Sequence, residues 1–409
     1  MTKLYSILVF LLTSVSMLSG LIIAPIGTLI LSAILLAKYK KLDFSRIKTK
    51  KLEIILFGWL FLSCIWSISE FSAFTKFLTV LFFFFAIIIV SDLSLYEGIN
   101  RAKIFGCPMI LGCITAIIIF VIEYSTNGFL TREFRAIFQK SGNNYFAINF
   151  LDRGCAVLSM ISWPLMFLLA KQKRWFSIVA YAIVAGYILK TSDSLASYLA
   201  FILGIATLMI LLVSRMYGIY LLMIGVLAAG VFLPIFAYRQ IPREICHTYQ
   251  SKIPDSGKHR LFIWKFTAEK AMEKQLFGWG FDASHNIPMD EENDMIYFNQ
   301  YKWNPLPLHP HNNFMQIWLE GGLVGLGLWV LLLVKMLFRI RKISKKDSDI
   351  VWGSFAGACF MNYFFISMIS FGLWQIWWIT TICMVIFFFS IFRNLGQIED
   401  KEAEELEKI

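Results

Sequence analysis

Charge is scarce in this sequence: Asp, Glu, Lys and Arg make up 16% of its 409 residues, against 58% for the hydrophobic types. That balance excludes an ordinary soluble domain and points to a chain that crosses a membrane many times. The net charge of +11 does not indicate nucleic acid, because the basic residues flank apolar runs as orientation signals do, and form no face interleaved with aromatics. Of seven cysteines, six (Cys64, Cys107, Cys113, Cys155, Cys359, Cys383) lie in or beside apolar runs, where a thiol behaves as a small hydrophobe. Cys246 stands alone in a long polar stretch, so there is no disulfide framework to read. His-Glu-x-x-His and Cys-x-x-Cys spacings are both missing, which removes the usual zinc signatures. Internal repeats are missing too, and that counts against a transporter or flippase, many of which are built from duplicated halves. No small-x-small cleavage site follows Lys3 and its apolar neighbours, so an uncleaved first span is expected.

What is present is a succession of apolar runs. Leu4 to Leu18 and Leu21 to Leu36, joined by Ser19-Gly20, suit a tight helical hairpin. Then come Leu52 to Trp66, Phe77 to Val90, Ile104 to Ile122, Phe150 to Ala170, Trp175 to Leu189, Leu195 to Val213 and Tyr217 to Ala237. Phe314 to Val334, Trp352 to Ile369 and Leu373 to Phe392 complete the series. The expectation is an all-α polytopic membrane protein of about twelve transmembrane helices, by the ~20-residue criterion. Basic clusters at Lys38 to Lys51, Arg101 to Lys103, Lys171 to Arg174, Arg215 and Lys335 to Lys346 alternate so as to share one side, which the positive-inside rule makes cytoplasmic. Tyr124 to Asn149 and the long loop Tyr238 to Asn313 then lie outside. The expected units are helices one to nine over 1–237, a periplasmic catalytic loop over 238–313, three further helices over 314–392 and a charged cytoplasmic tail over 393–409.

All five histidines, His247, His259, His285, His309 and His311, fall in that long loop. Within it, Leu261, Trp264, Ala268 and Met272 recur at helical spacing, predicting an amphipathic helix from about Lys258 to Gln275, capped by Ser256 and stopped by Gly278-Trp279-Gly280. Arg260 would sit in its first turn, where a cation opposes the helix dipole, and arginine beside a helix N-terminus makes an anion site. His309 and His311 flank Pro310, and an extended backbone would turn both rings to one side. Either Asn312 or Asn313 would cap the next span, where Asn313, Gln316 and Glu320 form a polar stripe. A buried carboxyl in a span faces a cavity or a partner, so Glu320 either serves the site or pairs with a structural cation. Gly321 and Gly325 are spaced for close helix approach. Arg153 opens another span at the outer face, where it either pairs with Asp152 or Asp193 or holds phosphate with its fork. His285, His309 and His311 with the acidic run Asp290 to Asp294 offer metal ligand types at no recognised spacing, and no metal is expected.

Arg260-Leu261-x-x-Trp264, then Leu276-Phe277-Gly278-Trp279-Gly280, then His309-x-His311-Asn312 running into Glu320-x-Gly322-x-x-Gly325, within some twelve spans, resembles the O-antigen ligase family. Its superfamily also holds O-antigen polymerases and protein O-oligosaccharyltransferases. The resemblance covers the order of spans over most of the chain, with motif matches confined to Arg153–Ser197 and Arg260–Gly325. It implies a glycosyltransferase of the bacterial inner membrane that moves a glycan from undecaprenyl diphosphate to a hydroxyl of the lipid A core, on the periplasmic side, with no nucleotide sugar, metal or cofactor. By the same resemblance His311 activates the acceptor hydroxyl and Arg260 engages the diphosphate; His309, Asn312, Glu320, Trp264 and Trp279 are the further candidates for binding substrate. One family position is unmatched: many members read Ser-Arg-Ala where this chain reads Ser194-Leu195-Ala196, and Arg153 is the expected substitute.

Overall fold

Inside a bilayer the backbone must satisfy every N–H and C=O within its own segment, so apolar runs become helices. The computed structural model describes residues 2–92, 100–139, 146–243, 255–290, 294–298, 301–346, 349–393 and 395. Its helices are α1 (Thr2–Val15), α2 (Ile23–Ala37), α3 (Ser45–Lys48), α4 (Lys51–Ser63), α5 (Glu70–Val90), α6 (Cys107–Ser125), α7 (Phe129–Gln139) and α8 (Asp152–Lys171). They continue as α9 (Trp175–Thr191), α10 (Leu195–Val213), α11 (Ile219–Arg239), α12 (Asp255–Glu273), α13 (Asn313–Lys346), α14 (Ile350–Ile369) and α15 (Ile376–Phe392). Each expected apolar run is helical. Among the described residues eight segments are long and apolar enough to cross a membrane, built on α2, α5, α6, α8, α10, α11, α13 and α14. The runs at α1, α4, α9 and α15 give helices of 14, 13, 17 and 17 residues, shorter than that measure.

α8 is the axis of the bundle. Every residue from Gly154 to Ala170 is buried, so a helix apolar all round is here enclosed by other helices. The basic clusters gather at one end. Lys335 pairs with Glu53 at 2.5 Å, Lys171 with Asp349 at 2.6 Å, and the Arg341 guanidinium lies 4.6 Å from the Tyr220 ring. Those contacts join the starts of α4, α11 and α14 to the far ends of α8 and α13. The opposite end therefore carries the start of α8, the start of α13 and the α14–α15 connection.

The long polar stretch folds onto that opposite end. Ser67 donates to the Phe281 carbonyl at 2.7 Å and Ser69 to the Asp282 carbonyl at 2.9 Å, while Lys76 pairs with the Asp282 carboxylate at 2.6 Å. α12 begins at Asp255, where an acidic residue suits the helix dipole, and ends at Glu273. Ser256 is thus inside the first turn and Arg260 in the second, not the first as expected. Two features were unexpected: the amphipathic helix α7, and an antiparallel pair of strands, β1 (Ile296–Phe298) and β2 (Tyr301–Trp303), that pairs Ile296 with Trp303. His247, Cys246, Glu291 to Asn293 and the tail from 396 lie outside the described residues.

α13 breaks at Gly322, whose backbone has φ 65° and ψ −167°. A helix break leaves orphan donors and acceptors, and here they are exchanged with the Gly278-Trp279-Gly280 turn. Leu323 N–H donates to the Gln275 carbonyl at 2.9 Å, while Trp279 and Gly280 N–H donate to the Leu319 and Glu320 carbonyls at 2.8 and 2.9 Å. The expected close approach at Gly321 and Gly325 is made by an indole: Trp59 donates to the Gly321 carbonyl at 3.0 Å and lies against both glycines. A Cβ on Gly322 would come within 2.1 Å of the Leu276 carbonyl oxygen at a left-handed φ. Gly322→Ala is expected to destabilise the protein by about 1–3 kcal/mol, read as a lower unfolding temperature in detergent.

Candidate active site

The His309–Pro310–His311 segment is not extended, because His311 adopts φ 54°. Its N–H therefore turns back to donate to His309 Nδ1 at 3.1 Å, and the two rings sit 4.4 Å apart and tilted. His309 is buried against Gly372, where a Cβ would come within 2.8 Å of the imidazole. His311 stays partly accessible, and its Nδ1 meets the Ser370 carbonyl at the end of α14. A carbonyl only accepts, so Nδ1 carries the proton and Nε2 of a neutral ring keeps its lone pair. Burial lowers the His311 pKa below 6.5, partly offset by the Ser370 hydrogen bond, and the charges of Arg260 and His259 lower it further. Burial, with His311 and Arg153 nearby, pushes His309 down to about 3. Both imidazoles are neutral at physiological pH, the state a general base requires.

Two arginines share the field of these rings. Arg153 at the start of α8 acts on His309, and Arg260 on α12 acts on His311. Among the described residues Arg153 is exposed and makes no ion pair, so of its two alternatives the pairing with Asp152 or Asp193 is not formed. Arg260 donates through Nη1 to the Ser256 carbonyl of its own helix at 3.3 Å, and its Nε is buried without a partner. Burial lowers its pKa against the opposing pull of the Asp152 carboxylate, but a guanidinium stays protonated. His259 also faces this region, with Nε2 3.1 Å from the Asn304 carbonyl and its ring 4.9 Å from Trp303. Leu195, where the family arginine would stand, is 64% exposed.

Glu320 has another kind of surroundings. It is 1% exposed, and its oxygens accept from Ser284 Oγ at 2.5 Å, Trp374 Nε1 at 2.5 Å, Gln316 Nε2 at 3.1 Å and Asp282 N–H at 3.2 Å. It pairs with no cation among the described residues. Gln316 in turn accepts from Leu373 N–H at 2.8 Å, so the polar stripe ties the α14–α15 connection, which carries Ser370, to α13. Asn312 is the cap of α13: Oδ1 accepts from Phe314 and Met315 N–H at 3.0 and 3.1 Å, and Nδ2 donates to the Met368 carbonyl at 2.9 Å. Trp264 donates to the Pro310 carbonyl at 3.1 Å and fixes the histidine turn on α12. Trp279 donates to the Lys270 carbonyl at 2.8 Å, under the Lys274 ammonium.

His311, Arg260, Arg153 and His309 thus come to one end of the bundle, while Asn312, Glu320, Trp264 and Trp279 spend their polar atoms on the protein and hold that arrangement. Among the described residues no three His, Cys, Asp or Glu are grouped to hold a metal, and His285 stands instead beside Asp282, 3.9 Å away. Sequence reasoning missed Ser370 and Gly372. A backbone carbonyl leaves no residue signature, although a glycine between the last two spans marks a place where something approaches closely.

A family model described as O-antigen ligase matches residues 180–330. A protein of Rickettsia felis named "Putative polysaccharide ligase" is 36% identical over 405 residues, covering 93% of this chain and 95% of its own. A protein of the same name from Rickettsia bellii is 36% identical over 353 residues, covering 86% and 82%. No solved structure gives a significant match.

Proposed function

This chain belongs to the O-antigen ligase family, and from that premise we propose that it transfers a glycan from undecaprenyl diphosphate to a hydroxyl of the lipid A core. The observation that carries the reading is the His311 ring, held by the Ser370 carbonyl with Nε2 basic, in the field of Arg260. The acceptor oxygen attacks the anomeric carbon on the face opposite the diphosphate. The new C–O bond forms with inversion as the bond to phosphate breaks. The acceptor proton passes to His311 Nε2, and the electron pair stays on the leaving diphosphate oxygen. Arg260 and Arg153 offer fixed positive charge where that negative charge grows, in a partly dry site where it acts strongly. Arg153 supplies from α8 the cation that Leu195 does not. The chemistry asks for no metal.

In the same reading the helices make about twelve crossings of the bacterial inner membrane, with the basic end in the cytoplasm and the site at the periplasmic face. The polyprenyl tail then stays in lipid while the diphosphate reaches the loop. Deleting the gene is expected to abolish glycan-capped lipopolysaccharide while long undecaprenyl-linked glycan persists. Loss of the long chains themselves would make the protein a polymerase, and a normal lipopolysaccharide profile would exclude both roles.

A further inference from the structure

Two carboxylates stand among the cations of this site. Asp152 opens α8 next to Arg153, and Asp193 lies in the turn before α10. The charge of Asp193 acts on Asp152, and Asp152 and Arg260 act on each other. Yet neither aspartate forms an ion pair within 4 Å among the described residues. Asp152 Oδ1 and Arg260 Nε are each buried without a hydrogen-bond partner. A carboxylate in contact with Arg260 would close the guanidinium fork. One that makes no ion pair with it leaves the part of the guanidinium not spent on the Ser256 carbonyl open to phosphate oxygens, while its charge repels the bound dianion.

We propose that Asp152 is a positioning and release residue: its carboxylate keeps Arg260 poised and weakens the hold on the lipid diphosphate left behind after transfer. This rests on the functional reading above. Charge of one sign alone would bind product as tightly as donor, and such uniform binding slows turnover. The counter-charge at Asp152 limits that, and Asp193, whose charge acts on Asp152, adds to it.

The test is inhibition of glycan transfer by added undecaprenyl diphosphate, using the purified full chain. Asp152→Asn is expected to lower the inhibition constant about tenfold and the donor KM in the same direction, and Asp152→Glu to restore both. A structural role alone would leave them unchanged or raise them, and either result overturns the proposal. If Asp152→Asn does not yield folded protein, Asp193→Asn decides. Asp193 has φ 58°, which asparagine tolerates, and its inhibition constant must also fall for the proposal to stand. Arg260→Ala separates the two levels. Wild-type inhibition in that variant sinks the reading of the site itself, whereas weakened inhibition beside an unchanged Asp152→Asn sinks only the release role.

Discussion

Replacing His311 by asparagine is expected to lower the rate of transfer by about 10²–10⁴-fold, the usual contribution of a positioned general base, with little change in donor KM. Asparagine isolates the basic nitrogen: it accepts the left-handed backbone found at φ 54°, and its amide can still donate to the Ser370 carbonyl. What it lacks is Nε2. The pH profile supplies a second readout. The folded pKa of His311 lies below 6.5, so the base form persists as pH falls past 6.5 and the rate declines only at more acid pH. An acid limb centred at or above 6.5 would contradict the environment described here. The same shift acts on stability. A histidine whose folded pKa is depressed binds fewer protons folded than unfolded, so its contribution is complete above about 6.5 and is lost as pH falls toward the folded value, about 3 for His309.

Arg260 carries the second large effect. Arg260→Ala is expected to reduce transfer by about 10²–10³-fold, as loss of one oriented charge at a developing anion does. Arg260→Lys should recover only part, because a point charge cannot grip two phosphate oxygens as the fork can. The residue also lowers the His311 pKa, so neutral substitution should move the acid limb of the pH profile upward. Loss of rate with no movement of that limb would separate the two groups and argue against a shared site.

The apolar runs made the helices legible, and the alternation of basic clusters anticipated the gathering of Lys171, Lys335 and Arg341 at one end. His311, Arg260 and Arg153 could be singled out because charged and imidazole side chains are rare in such a chain. Their surroundings could not. Ser67 meets Phe281 across 214 positions, and His311 meets Ser370 through a backbone carbonyl, neither of which leaves a periodicity. Gly321 and Gly325 read as a packing surface, and the break at Gly322 between them was not legible because a helix break inside an apolar run looks like the run itself. Glu320 read as a buried carboxyl in need of a partner, and its partners proved to be Ser284, Trp374, Gln316 and the Asp282 N–H, spread over three segments of the chain.

Transfer from a lipid diphosphate needs no nucleotide sugar. Purified protein, undecaprenyl diphosphate-linked glycan and rough lipopolysaccharide should together yield capped lipopolysaccharide and one undecaprenyl diphosphate per glycan moved, with chelator present and no nucleotide added. Absence of product under these conditions, or product that appears only with a nucleotide sugar or a divalent metal, would contradict the account.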